Sequence, residues 1–278
     1  MILKLNPVAL GIFKRILIRS SFYAVAAYFI SIIVEKLVMV AGATMYGYSV
    51  SLEYEEVGVI ADPSKWNQES VLIIYLFPYL IQAIIFTLLY INLQKPQVKP
   101  GFLRIFTLWM MFFIAFRFLG MLPAHLFFKT GIYHAFNWLY VGLTLKILIG
   151  FTGMVLFFLT SRRILNGIYF FFGTYNNNSS VIGIQNLLIS SLLVPALATF
   201  FIPLIFFLPG LPKTEIIGLM LVTLPVIYVF IRLFIANAEL IPSRILIVEK
   251  HHPLRLFIII LIMIVILRII LGFGFILN

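Results

Sequence analysis

Long apolar stretches, separated by short polar connections, set the pattern of this chain. A helix needs roughly 20 apolar residues to cross a hydrocarbon core of about 30 Å. The pattern predicts about seven such helices, at residues 21–45, 71–93, 103–123, 138–160, 181–208, 216–236 and 256–277. Ahead of them, residues 1–19 place Leu3, Leu5, Val8, Ile12 and Ile16 on one face and Lys4, Lys14, Arg15 and Arg19 around it, which predicts an interfacial amphipathic helix. Residues 20–278 then form a single transmembrane domain, and the expected fold is an all-α polytopic membrane protein. One connection breaks the helical pattern. In the loop at 46–70 the alternation of YSVSLEYEEVGVI predicts a short β-hairpin, and Asp62–Pro63 predicts a turn. Pro195 and Pro203 in the fifth span, and Pro225 in the sixth, predict kinks.

Composition agrees with that pattern. With 278 residues, 63% hydrophobic and 10% charged, and a mean hydropathy of +1.14, the chain has more apolar surface than a water-soluble domain can bury. The formal charge of +11 does not point to nucleic acid once its positions are read. Lys4, Lys14, Arg15, Arg19, Lys95, Lys99, Arg104, Arg162, Arg163, Arg244, Lys250 and Arg255 fall on one side of the predicted spans, and only Lys65, Lys129 and Lys213 on the other. The positive-inside rule then sets the N-terminus in the cytoplasm and the C-terminus outside. Compact loops suit a bacterial cytoplasmic membrane. No small-residue cleavage pattern follows the basic start, so no cleaved signal peptide is expected. The absence of cysteine removes disulfides, thiolate metal sites and cysteine nucleophiles together.

Charges inside the spans are the strongest pointers to function, because an ionisable side chain in the membrane interior is costly and normally faces a partner. Taking each span's midpoint and a rise of 1.5 Å per residue, Glu35, Lys36, Arg117, Lys146 and Arg268 fall within about 7 Å of the midplane, on its outer side. The expectation is a buried network with Glu35 paired to Arg117 or Lys146. Four cations against one carboxylate leave positive charge that attracts an anion or the acids of a neighbouring subunit. With a single carboxylate at that depth, a proton relay is not expected.

The hairpin loop carries a different charge. Glu53, Glu55, Glu56 and Asp62, with Trp66, form an acidic outer surface, either a solvated cap or a docking site for a basic partner. His125 and His134 lie together in one connection, and His251 and His252 in another on the opposite side. The two pairs cannot share a metal, and neither supplies the three or four ligands of a zinc site, so His125 and His134 are expected as interfacial histidines. There is no G-x-S-x-G elbow and no phosphate-binding loop, so no catalytic residue, metal or cofactor is assigned. Gly120, Gly153 and Gly218 lie in or at the ends of spans, where small residues permit close helix contact.

Val34–Glu35–Lys36–Leu37–Val38 occupies the place of an H-E-x-x-H motif. It is followed by Gly42, by the hairpin-like stretch from Tyr46, by Phe77–Pro78 opening the next span, and by K-T-G-I-Y-H. This order resembles the integral-membrane site-2 metalloproteases over residues 25–160. The resemblance implies a similar fold in a protein without protease activity. The two histidine ligands are Val34 and Val38 here, no aspartate follows Asp62, and Glu35 alone matches, at the general-base position. The predicted orientation also departs from that family, since it sends the hairpin outside.

These readings lead to a non-catalytic integral membrane subunit or scaffold, working with membrane lipids and other membrane subunits and not with nucleic acid. The alternative is a transporter or flippase-like protein holding an anionic substrate or lipid headgroup at the Arg117–Lys146–Arg268 cluster. An intramembrane enzyme of another type is a third. A cavity reaching the cluster favours transport, and a cluster facing another polypeptide favours the subunit.

Overall fold

The computed structural model describes residues 7–52, 57–94, 102–175, 186, 188–207, 213–235, 258, 262, 265 and 275–277. It is a helical bundle with one small sheet. In chain order the described elements are α1 (Pro7–Met45), β1 (Ser49–Leu52), β2 (Val57–Ile60), α2 (Gln68–Tyr75), α3 (Phe77–Gln94) and α4 (Phe102–Ala115). They continue with a π-helical turn at Phe116–Gly120, α5 (Leu122–Phe128), α6 (Ile132–Trp138), α7 (Leu143–Tyr175), a second π-helical turn at Ile189–Leu193, α8 (Val194–Phe207), α9 (Lys213–Ile235) and β3 (Phe275–Leu277).

Among the described residues, five helical stretches are long and apolar enough to cross a membrane: Phe13–Met45, Gln68–Gln94, Leu103–Phe128, Leu143–Phe171 and Lys213–Ile235. The sequence pattern predicts seven. Its fifth span corresponds to a shorter apolar helix at Ile189–Ile205. Most of its seventh, 256–277, lies outside the described residues, and the end of that stretch, Phe275–Leu277, is a strand. Residues 1–19 are expected as a separate surface helix. From Pro7 onward they instead run unbroken into α1, whose 39 residues rise roughly 58 Å, well beyond a hydrocarbon core. Exposed Lys14 and Arg15 lie towards the end of α1 that begins at Pro7.

α4 is the hub, packed against α1, α3 and α7. Every residue from Leu108 to Arg117 is buried, as expected of a helix that is apolar all round. Trp109, fully buried, stacks on Phe113 at 5.9 Å and donates from Nε1 to Ser20 Oγ at 3.1 Å. Ser20 Oγ in turn donates to the Ser191 carbonyl at 2.8 Å, which ties α1, α4 and the second π-helical turn together. The peripheral helices turn large apolar side chains outward, among them Met220, Leu224, Ile227 and Ile231 on α9 and Ile147, Leu148 and Phe151 on α7. Such stripes suit lipid tails rather than water. Close packing rests on small residues: a Cβ on Gly153 of α7 would lie 2.6 Å from Leu122 Cδ1 and 3.0 Å from the Leu119 carbonyl oxygen.

The hairpin forms as the alternation predicts. β1 pairs antiparallel with β2 in the register Ser49↔Ile60 to Leu52↔Val57, and β1 also pairs with β3, giving the order β2-β1-β3. The chain end at β3 and the hairpin therefore share one face of the bundle. Asp62 caps the turn that follows, and Asn67 and Ser70 close a reciprocal capping box on α2. Tyr48, Val50, Val57 and Ile74 form a small core beneath the sheet.

Candidate functional site

Four elements converge below the sheet. On α1, Ile32, Glu35, Lys36 and Met39 follow the i, i+3, i+4, i+7 spacing of one helical face. Arg117 comes from the first π-helical turn, where the Met121 N–H reaches back to the Phe116 carbonyl at 2.8 Å. That extra residue in the turn re-aims the side chain, as π-bulges do at functional sites. Glu215 stands in the first turn of α9, where the positive end of the helix dipole favours a carboxylate. His125 belongs to α5.

Arg117 is 2% exposed and holds both acids. Its Nη1 donates to Glu215 Oε1 and lies 3.6 Å from Glu35 Oε2. The guanidinium sits over the ring of Tyr28, 5.3 Å from its centroid, and the Tyr28 hydroxyl donates to Glu215 Oε2 at 3.3 Å. Glu35, Glu215 and Arg117 thus join α1, the π-helical turn and α9. Tyr79 and Gln82 of α3, both buried, lie beside them.

The triad borders a cavity of about 430 Å³, lined by the α1 face, by Val57, Gly58 and Val59 of β2, and by Tyr75, Arg117, His125, Thr130, Gly131, His134, Thr214 and Glu215. His125 Nδ1 meets Thr130 Oγ1 at 3.0 Å. Gly131, at φ +53°, comes so close to that ring that a Cβ would lie 2.8 Å from His125 Nδ1. The rings of Tyr75 and His134 face each other at 5.1 Å. Among the described residues no group of three or more His, Cys, Asp or Glu side chains is placed to hold a metal ion.

The cluster expected from the sequence divides. Glu35, Lys36 and Arg117 meet at the cavity, and of the two partners open to Glu35 in the sequence, Arg117 and Lys146, it is Arg117 that lies within 3.6 Å. Lys146 lies apart, 8% exposed, bonded through Nζ to Asn137 Oδ1 and seated 4.4 Å from the centroid of the Tyr133 ring. Arg268 lies outside the described residues. The single-carboxylate picture is corrected: Glu215, 98 positions from Arg117 in the chain, brings a second acid to the site. Its signal was an acid at the start of an apolar helix, easily read as part of the preceding loop. His125 and His134, expected at the interface, line the cavity instead. Of the acidic loop, Glu53, Glu55 and Glu56 lie outside the described residues. Asp62 caps its turn, and Trp66 packs against Tyr48 at 5.1 Å and Tyr75 at 6.4 Å. Comparison of the chain with protein-family models, with curated proteins and with solved structures gives no match.

Proposed function

We propose that this chain is a multi-pass membrane protein that binds a small polar solute or headgroup in the Glu35–Arg117–Glu215 cavity, as a binding or transport protein. The observation that carries the reading is a cavity of about 430 Å³ bordered by an ion-paired triad between helices of membrane-spanning length. Ionisable groups inside a membrane bundle mark binding sites and pathways, and the volume lies within the range of small-molecule sites. The subunit or scaffold reading draws on three features, the lack of a catalytic set, the acidic outer loop and intramembrane cations in need of partner acids; only the last is weakened, since Arg117 and Lys146 have partners within the chain. In the proposed orientation the N-terminus is cytoplasmic and the cavity opens towards the outer face of a bacterial cytoplasmic membrane.

The natural absence of cysteine supplies the test. Met39→Cys, on the cavity wall, is expected to react in intact cells with a membrane-impermeant thiol reagent, and Leu148→Cys, on the lipid-facing surface of α7, is not. Equal, slow labelling of both positions would count against a water-reached cavity and against the reading.

A further inference from the structure

Resting on the cavity reading, we infer that the group this site recognises is an organic ammonium, free or carried on a lipid headgroup, and not an anion. Exposure decides the sign. The Arg117 guanidinium is 2% exposed, whereas the carboxylates it holds keep 17% at Glu35 and 18% at Glu215. Of the triad's charges bordering the cavity, the two acids are therefore the more exposed and the guanidinium the least.

Glu35 is the more available acid. Glu215 takes hydrogen bonds from Arg117 and from Tyr28, while Glu35 Oε2, 3.6 Å from Arg117 Nη1, is buried without a hydrogen bond among the described residues, as are Arg117 Nε and Nη2. A carboxylate has about four lone-pair sites, and an ammonium donor forms a short charge-assisted bond to one of them. Tyr75 adds ring surface to the same cavity, and aromatic faces of this kind attract organic cations. A bare divalent ion wants about six or more oxygen ligands, and no metal-ligating group of three is present among the described residues.

Lys36 fixes how the inference is tested. It lines the cavity, and its charge acts on both Glu35 and Glu215. It is the internal rival of an incoming ammonium, and would be the helper of an incoming anion. The two chemistries therefore demand opposite responses from the same variant.

The experiment uses the full-length protein in a neutral detergent, with thermal midpoints recorded against ethylammonium chloride and sodium ethyl sulfate at matched ionic strength. A parallel arm uses nanodiscs of phosphatidylethanolamine or phosphatidylglycerol. The expected result is a saturable rise in midpoint with ethylammonium and none with ethyl sulfate. Lys36→Met should lower the half-saturating concentration about fivefold, the factor that corresponds to one unit-charge contact near 4 Å in water-like surroundings, and Glu35→Gln should abolish the rise. Stabilisation by phosphatidylethanolamine but not by free ethylammonium, with the same dependence on Glu35 and Lys36, assigns the ammonium to a lipid and supports the inference. Stabilisation by ethyl sulfate that Lys36→Met weakens overturns it and leaves the cavity reading standing. A flat response to every probe overturns it as well, and with an unreactive Met39→Cys the cavity reading falls too. If Glu35→Gln does not fold, the sign of the Lys36→Met response still decides.

Discussion

Removing the guanidinium from the triad is the most direct probe of the site's energetics. Arg117→Met keeps the length and apolar bulk of the stem but leaves Glu35 and Glu215, 17% and 18% exposed, facing each other without their shared cation. At an effective dielectric of about 20, the Glu35–Arg117 contact at 3.6 Å alone corresponds to about 4–5 kcal/mol of Coulomb attraction. Part of that is offset in the native protein by the desolvation of Arg117. Removing one partner of a buried pair typically costs about 3–5 kcal/mol, because the remaining charge is stranded. We expect a loss of that size in reversible unfolding by sodium dodecyl sulfate in mixed micelles, followed by circular dichroism. The control is the double variant Arg117→Met/Glu215→Gln, which removes one stranded charge and keeps an acceptor for the Tyr28 hydroxyl. It should recover about 0.5–3 kcal/mol, the usual span of coupling between touching residues. A single variant within about 1 kcal/mol of the parent, or a double variant no better than the single, would refute the claim that Arg117 neutralises both acids.

Other sites give independent expectations. Gly153→Leu drives a side chain into Leu122 and the Leu119 carbonyl, so the variant should lose about 1–3 kcal/mol or fail to purify as a folded species in the same assay. Gly131→Ala introduces a Cβ at φ +53° and 2.8 Å from His125 Nδ1. It should cost about 1–3 kcal/mol, against about 1 kcal/mol for Thr130→Val, which removes only one hydrogen bond; equal losses would show that backbone strain at Gly131 is not the cause. The Asp62 carboxyl is held below its ordinary range by the Ser64 backbone N–H and then by the Ser64 hydroxyl. Its cap is therefore fully formed above the unfolded-state value of about 4 and is lost as pH falls through the lower folded value. Hydrogen exchange at Ser64 and Lys65, corrected for intrinsic rates, should accelerate in that acid window, and Asp62→Asn should remove the step.

How much of the site was legible differs residue by residue. Glu35 and Arg117 are visible because a charge within an apolar run is conspicuous at single-sequence level, but depth alone leaves Arg117 and Lys146 equally open as partners of Glu35. Lys146 was equally conspicuous but belongs elsewhere, since depth does not reveal helix rotation, and Asn137 and Tyr133 supply its partners from a neighbouring segment. Glu215 is not legible from the sequence because a helix that starts with an acid resembles a loop that ends with one. The histidines looked interfacial because their connection folds back: Lys129 takes a left-handed conformation at φ 59° and Gly131 follows at φ 53°, turning α6 against α2.

The sequence by itself determined the helical, lipid-suited character of the chain and the hairpin after the first helix. Both are written in local periodicity, apolar length for the helices and alternation for the strands, and need no knowledge of neighbours. Tertiary structure alone decided which charges meet. It joined Glu35, Arg117 and Glu215 from three separate elements, removed the expected excess of positive charge at the site by adding a second acid, and left the two carboxylates more exposed than the guanidinium between them. The reason is physical: the π-helical turn and the packing of α4 set the rotation of Arg117, and a charge in a low-dielectric interior is stabilised only by the partner that rotation brings within reach.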